Sequence, residues 1–172
     1  ENLENIDQID GLRKLEVLTL HAAGVTDFSP LQNLDEIEYL EVEKCHNLTS
    51  AKIFSGMVYL KYLELSECRK LADISMLSKN KRLNQLIIPG CENLENISAL
   101  SKLNELVSIN MLRAVKIKNI SSLSEISSLK YLNMADCENV TDISPISTLS
   151  SLLYLDLSGC NRIADLSPLA GL

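Results

Sequence analysis

Leucine-type residues return along this chain at a fixed interval. Leu60, Leu83, Leu106, Leu129 and Leu152 stand 23 residues apart, Ile37 precedes Leu60 by 23, and Leu15 precedes Ile37 by 22. A period of this length repeats one short path, and each path buries its apolar edge only by stacking on the next. Six full units follow, at 15–36, 37–59, 60–82, 83–105, 106–128 and 129–151, with a seventh, nearly complete, at 152–172. Residues 1–14 read as the back half of an earlier unit, with Leu3, Ile6, Ile9 and Leu12 in register. The 172 residues thus form a single domain without an internal linker. Neither end carries the polar capping element that solenoids use for solubility, so the expectation is a piece, or the ordered part, of a longer protein.

Within a unit the pattern is L-x-x-L-x-L-x-x-C-x-x-L-x-x-I-x-x-L-x-x-L. The last unit shows it as Leu152, Leu155, Leu157, Cys160, Ile163, Leu166 and Leu169. The L-x-L core alternates in and out, which predicts a strand in each unit. Because every unit repeats the same path, neighbouring strands run parallel. The later apolar positions fall every three residues, which suits a 3-10 turn better than an α-helix. In Thr26-Asp27-Phe28-Ser29-Pro30 and Ala164-Asp165-Leu166-Ser167-Pro168 the Ser is expected as a helix N-cap with Pro first in the turn, and the Asp as a ligand of nearby backbone N–H groups.

This pattern resembles the leucine-rich-repeat family, whose signature is L-x-x-L-x-L-x-x-N/C-x-L, and the resemblance covers essentially the whole chain. The D-I/L-S-P-L endings are similar to the short repeats of internalins and phosphatase regulatory subunits, and the cysteine at the ninth position is similar to that of regulatory proteins of protists. The resemblance implies an α/β solenoid: a horseshoe with a parallel concave sheet, backed by short 3-10 or irregular convex segments.

Cys45, Cys68, Cys91, Cys137 and Cys160 all occupy one ladder position just after the strand, and Ala23 and Ala114 are read as filling it in the other two units. Such a file packs as small buried thiols. Parallel stacking holds Cβ atoms near 4.8 Å, wider than the approximately 3.8 Å of a disulfide. A straight file also does not converge on a tetrahedral metal. Unpaired thiols favour a reducing, cytoplasmic setting. Four N-x-S/T sequons, at Asn47, Asn96, Asn119 and Asn139, are compatible with a secreted or cell-surface one.

Charge and motif content narrow the function. The net charge of −7 argues against nucleic acid as a ligand. No apolar run reaches the roughly 20 residues of a membrane span. His21 and His46 stand in different files, and no nucleophile elbow, P-loop, dinucleotide fingerprint or H-E-x-x-H motif occurs, so neither an enzyme nor a cofactor site is expected.

The outward strand positions form three files: Val17, Tyr39, Tyr62, Gln85, Ser108, Tyr131, Tyr154; then Thr19, Glu41, Glu64, Ile87, Asn110, Asn133, Asp156; then His21, Glu43, Ser66, Pro89, Leu112, Ala135, Ser158. Tyr is favoured at protein interfaces, supplying area with a polar tip. The expected function is therefore a protein–protein interaction scaffold. Its concave face offers Tyr39, Tyr62, Ile87, Leu112, Tyr131 and Tyr154 as anchors, with Glu41, Glu43, Glu64 and Asp156 among them, to a partner segment that is basic and apolar. Two other readings stand beside it. One is a structural solenoid that self-associates end to end; the other is a targeting or regulatory module of a larger protein, such as a ligase or cyclase regulator.

Overall fold

The computed structural model describes residues 3–172; residues 1 and 2 of the partial first unit lie outside the described residues. Seven strands, β1 (Val17–His21), β2 (Tyr39–Glu43), β3 (Tyr62–Glu64), β4 (Gln85–Ile87), β5 (Ser108–Asn110), β6 (Tyr131–Asn133) and β7 (Tyr154–Asp156), form one open sheet in sequence order. All six pairings are parallel, and each pairs the same position of successive coils: Val17 with Tyr39 and with it Tyr62, then Gln85, Ser108, Tyr131 and Tyr154. The result is a leucine-rich-repeat solenoid with a parallel concave sheet.

Short 3-10 turns return the chain on the opposite side, among them Ser75–Lys79, Ser98–Lys102 and Ser121–Glu125. Among the described residues there is no α-helix. Between sheet and turns runs a continuous interior. Leu40, Leu63, Leu86, Ile109 and Leu132 line its sheet side, and Leu31, Phe54, Leu77, Leu100, Leu123 and Ile146 its convex side, all buried. The unit 37–59 departs from the pattern in a balanced way. Ala51 takes a place that Phe28 and Ile74 hold in its neighbours, and Phe54 one that Leu31 and Leu77 hold; both are fully buried. A small residue beside a large one conserves core volume.

Two local expectations are corrected. Ser29, Ser75, Ser144 and Ser167 do not cap their 3-10 turns: each is the first residue of its turn, whereas Ser50 does cap Ala51–Phe54, its Oγ accepting from Lys52 N–H at 3.2 Å. The capping is done by Asp, whose Oδ1 accepts from the Ser N–H at 2.8 Å in Asp27–Ser29, Asp73–Ser75, Asp142–Ser144 and Asp165–Ser167. Asn96 and Asn119 do the same for Ser98 and Ser121. An Asx side chain two residues before the N–H has the reach for this, and the Ser is already helical.

The ladder position of the first unit is Ala22, not Ala23. Ala22 is fully buried, and its carbonyl accepts from Val25 N–H, as the carbonyl of Cys45 does from Leu48. In later coils a residue in the left-handed conformation precedes the ladder: Lys44, Glu67, Gly90, Arg113, Asp136 and Gly159, with φ between 55° and 72°. The first unit is one residue shorter because it omits that residue. Ala22 N–H instead bonds the Glu43 carbonyl at 3.0 Å, as Lys44 N–H bonds that of Ser66.

Candidate functional site

The strands hold their outward side chains on one curved floor. On β2 and β3 the rings of Tyr39 and Tyr62 stack with centroids 4.1 Å apart and planes 7° from parallel. Parallel register places these two tyrosines side by side and places Glu41 beside Glu64. Like charges directly opposite in a sheet repel. Hydroxyl donors relieve part of that repulsion. Tyr62 Oη donates to Glu64, Ser66 Oγ donates to Glu64 Oε1 at 2.6 Å, and Tyr39 Oη and Thr19 Oγ1 each reach Glu41 Oε2 at 3.4 Å. Burial against its neighbour, and then the hydrogen bond to Glu64, push the Tyr62 phenol far above its ordinary range, so it stays a proton donor. His21 Nδ1 lies 2.8 Å from Glu43 Oε2 at the edge of this cluster.

The next coils are different. Ile87, Pro89 and Leu112 form a half-buried apolar patch on β4 and just beyond β4 and β5. Asn110 and Asn133 turn their carbonyls back to accept from the N–H groups of Leu112 and Ala135, at 3.1 and 2.9 Å. Tyr131 and Tyr154 are exposed on β6 and β7. Asp156 is engaged locally: it accepts from Ser158 Oγ at 2.6 Å and Ser158 N–H at 2.9 Å, and these bonds hold its carboxyl below the usual range. The ten residues proposed from sequence thus lie on one face in three adjoining groups: Tyr39, Glu41, Glu43, Tyr62 and Glu64; Ile87 and Leu112; Tyr131, Tyr154 and Asp156.

The cysteine file lies behind this face, fully enclosed apart from a slightly exposed Cys160, and all five are free thiols. Each thiol has a specific hydrogen-bond acceptor. Cys68, Cys91, Cys137 and Cys160 donate to the carbonyls of Val42, Leu65, Met111 and Met134, each 26 residues earlier in the preceding coil, at 3.1–3.6 Å. The hydrogen bond with Cys68 raises Cys45, and burial raises Cys91 and pushes Cys137 up to about 12. The hydrogen bonds of Cys68, Cys91, Cys137 and Cys160 tie each coil to the one before it, and the raised Cys91 and Cys137 thiols keep their protons.

Two further features escaped the sequence reading. Asn80 is fully buried where neighbouring coils carry Met57 and Leu103, and its Nδ2 donates to the carbonyls of Phe54 and Met57, both at 2.9 Å. Arg82 lies with its guanidinium carbon 5.0 Å over the ring of Tyr59. The 23-residue spacing of Tyr59 and Arg82 was the available signal for the second. Among the described residues no helix is long and apolar enough to cross a membrane.

A family description, Leucine Rich repeats (2 copies), matches residues 127–171. No curated protein matches the chain significantly. Among solved structures, internalin C2 from Listeria monocytogenes is similar, with 27% identity and a TM-score of 0.78 over 99% of this chain and 73% of that one. The leucine-rich repeat domain of the type III effector XopL shares the fold at 23% identity and a TM-score of 0.77, over 97% of this chain and 61% of that one. So does the Arabidopsis receptor kinase HAESA, solved with the peptide hormone IDA and the co-receptor SERK1. Its identity is 20% and its TM-score 0.61, over 95% of this chain and 30% of that one. The family description matching residues 127–171, the 23-residue coils and the seven-stranded parallel sheet agree: the chain has the leucine-rich-repeat solenoid fold.

Proposed function

We propose that this chain is a non-enzymatic scaffold that binds another protein on its concave face. Leucine-rich-repeat proteins in general mediate protein–protein interaction, and the receptor kinase HAESA was solved bound to a peptide hormone. The observation that carries the reading for this chain is the stacked Tyr39–Tyr62 pair set among Glu41, Glu43 and Glu64, beside the apolar patch of Ile87, Pro89 and Leu112. Rigid aromatic area lowers the entropic cost of association. Neighbouring carboxylates that are only partly relieved by hydroxyls gain from an incoming cation. The partner is therefore a segment with Lys or Arg followed by apolar side chains, and the carboxylates steer its approach.

The test begins with a partner identified by affinity capture and a measured Kd. Replacing Glu41 and Glu64 by Lys then weakens binding about tenfold or more and flattens its salt dependence. Unchanged affinity and salt slope would remove the acidic cluster from the interface.

A further inference from the structure

The densest basic segment of the chain is Lys79-Asn80-Lys81-Arg82, and Lys102 follows Lys79 by one 23-residue coil. Stacking brings these four cations to one rim, on the side where the chain enters β4 and β5, in a protein of net charge −7. None of the four makes an ion pair among the described residues, whereas Lys61 is paired with Glu38 at 2.7 Å. Glu105 stands one coil beyond Arg82 in register, yet Arg82 lies over Tyr59 in the preceding coil. Lys81 Nζ donates to the carbonyl of Lys102 at 2.9 Å. Two of the four cations are thus held in place by neutral groups and keep their charge uncompensated. Beside them opens a notch of about 530 Å³, lined by Lys61, Tyr62, Arg82, Asn84, Gln85 and Glu105.

We propose that this rim is a second binding site, taking an oxyanion carried on an extended acidic segment of a partner polypeptide, with Arg82 as its anchor. A guanidinium stacked on a ring keeps its edge N–H groups free for the fork-shaped, two-bond geometry of a carboxylate or phosphate. Part of its side-chain entropy is already spent in the free protein. The adjacent lysines add a favourable local field for an anion. Glu105 opposes binding from the far side of the notch. The occupant is identified by its charge and its oxygens, which a glutamate or a phosphoserine side chain supplies. The site adjoins the concave floor, with Tyr62 on the wall of both, but its anchor Arg82 lies outside the Glu41–Glu64 cluster.

The experiment uses the 172-residue chain and three fluorescein-labelled peptides, identical except for a central triplet of Glu, phosphoserine or Gln. Fluorescence anisotropy gives each affinity. The anionic peptides bind and the Gln peptide does not. Preference for phosphoserine names phosphate as the source, and equal binding names carboxylate. Arg82→Gln weakens the anionic peptides about tenfold, and Arg82→Lys recovers only part because the fork is lost. Glu105→Gln tightens binding about twofold. Binding of the Gln peptide as tight as the others overturns the proposal, as does wild-type affinity in Arg82→Gln with an unaltered circular dichroism spectrum.

Discussion

Leu40 and Leu63 beneath β2 and β3 are as fully buried as Leu86 and Ile109 beneath β4 and β5, yet the next residue along is Glu41 or Glu64 in the first pair and Ile87 or Asn110 in the second. The inward files must be alike because each coil is the lid of its neighbour. Outward side chains carry no such demand, since backbone hydrogen bonds already hold the strands. The acidic, hydroxyl-laced floor around Glu41, Glu43 and Glu64 and the apolar floor around Ile87 and Leu112 are therefore independent of the fold they share. In the proposed scaffold, they give one partner a charged approach and an apolar seat.

The sharpest way to break this division is to charge the shared interior. Ile97 is 1% exposed in the core of the 83–105 coil, and Ile97→Asp buries an unpaired carboxylate. The expected loss exceeds about 4 kcal/mol, read as loss of the cooperative urea transition. The same change at the partly buried Leu155 is expected to cost less. A near-native midpoint for Ile97→Asp would mean that the inward file is misassigned.

Changing the floor should do the reverse. Replacing Ile87 and Leu112 together by Ser is expected to shift stability by no more than about 1 kcal/mol. Partner affinity should fall at least tenfold or so, as for an apolar anchor at the centre of an interface. Surface plasmon resonance beside a urea melt separates the two. A large stability loss with affinity intact would return Ile87 and Leu112 to the fold and leave the apolar floor without a role.

The cysteine file offers a finer comparison, because one coil already lacks it. Ala114 stands in the ladder between Cys91 and Cys137. Cys91→Ala removes the thiol that donates to the Leu65 carbonyl at 3.3 Å, at an expected cost of about 1 kcal/mol in the urea midpoint. A neutral result would show that the file is selected for size alone.

Much of this architecture was legible in the chain because stacking converts one period into three dimensions. Once Ile37 and Leu60 are aligned, Tyr39 must lie beside Tyr62 and Glu41 beside Glu64, and the register agrees. The unit of 22 residues misled at Ala23, because a deletion can be placed anywhere between two aligned leucines until the hydrogen bonds of Ala22 and Lys44 fix it. The left-handed file was hidden for another reason. Lys44, Glu67, Arg113 and Asp136 occupy positions that Gly fills in other coils, and none of them announces a positive φ. Asn80 was invisible because its partners are backbone carbonyls, which a sequence pattern does not display.

The smallest expected effect distinguishes the two pairs of coils by acid. Asp73 caps the 3-10 turn of 60–82, while Asn96 and Asn119 cap those of 83–105 and 106–128. The Ser75 N–H, above all, holds the Asp73 carboxyl below its ordinary value of 3.8. A carboxyl depressed in the folded state contributes stability that is fully present above its unfolded pKa and lost as pH falls through the folded one. The Ser75 amide-proton shift should therefore move with a midpoint below 3.8, and the Ser98 and Ser121 amides should not follow it. Asp73→Asn should abolish the movement and leave the turn intact, since the amide oxygen accepts the same bond in the neighbouring coils. If Ser98 moved in parallel with Ser75, the acid response would belong to the whole stack, and the caps would not act coil by coil.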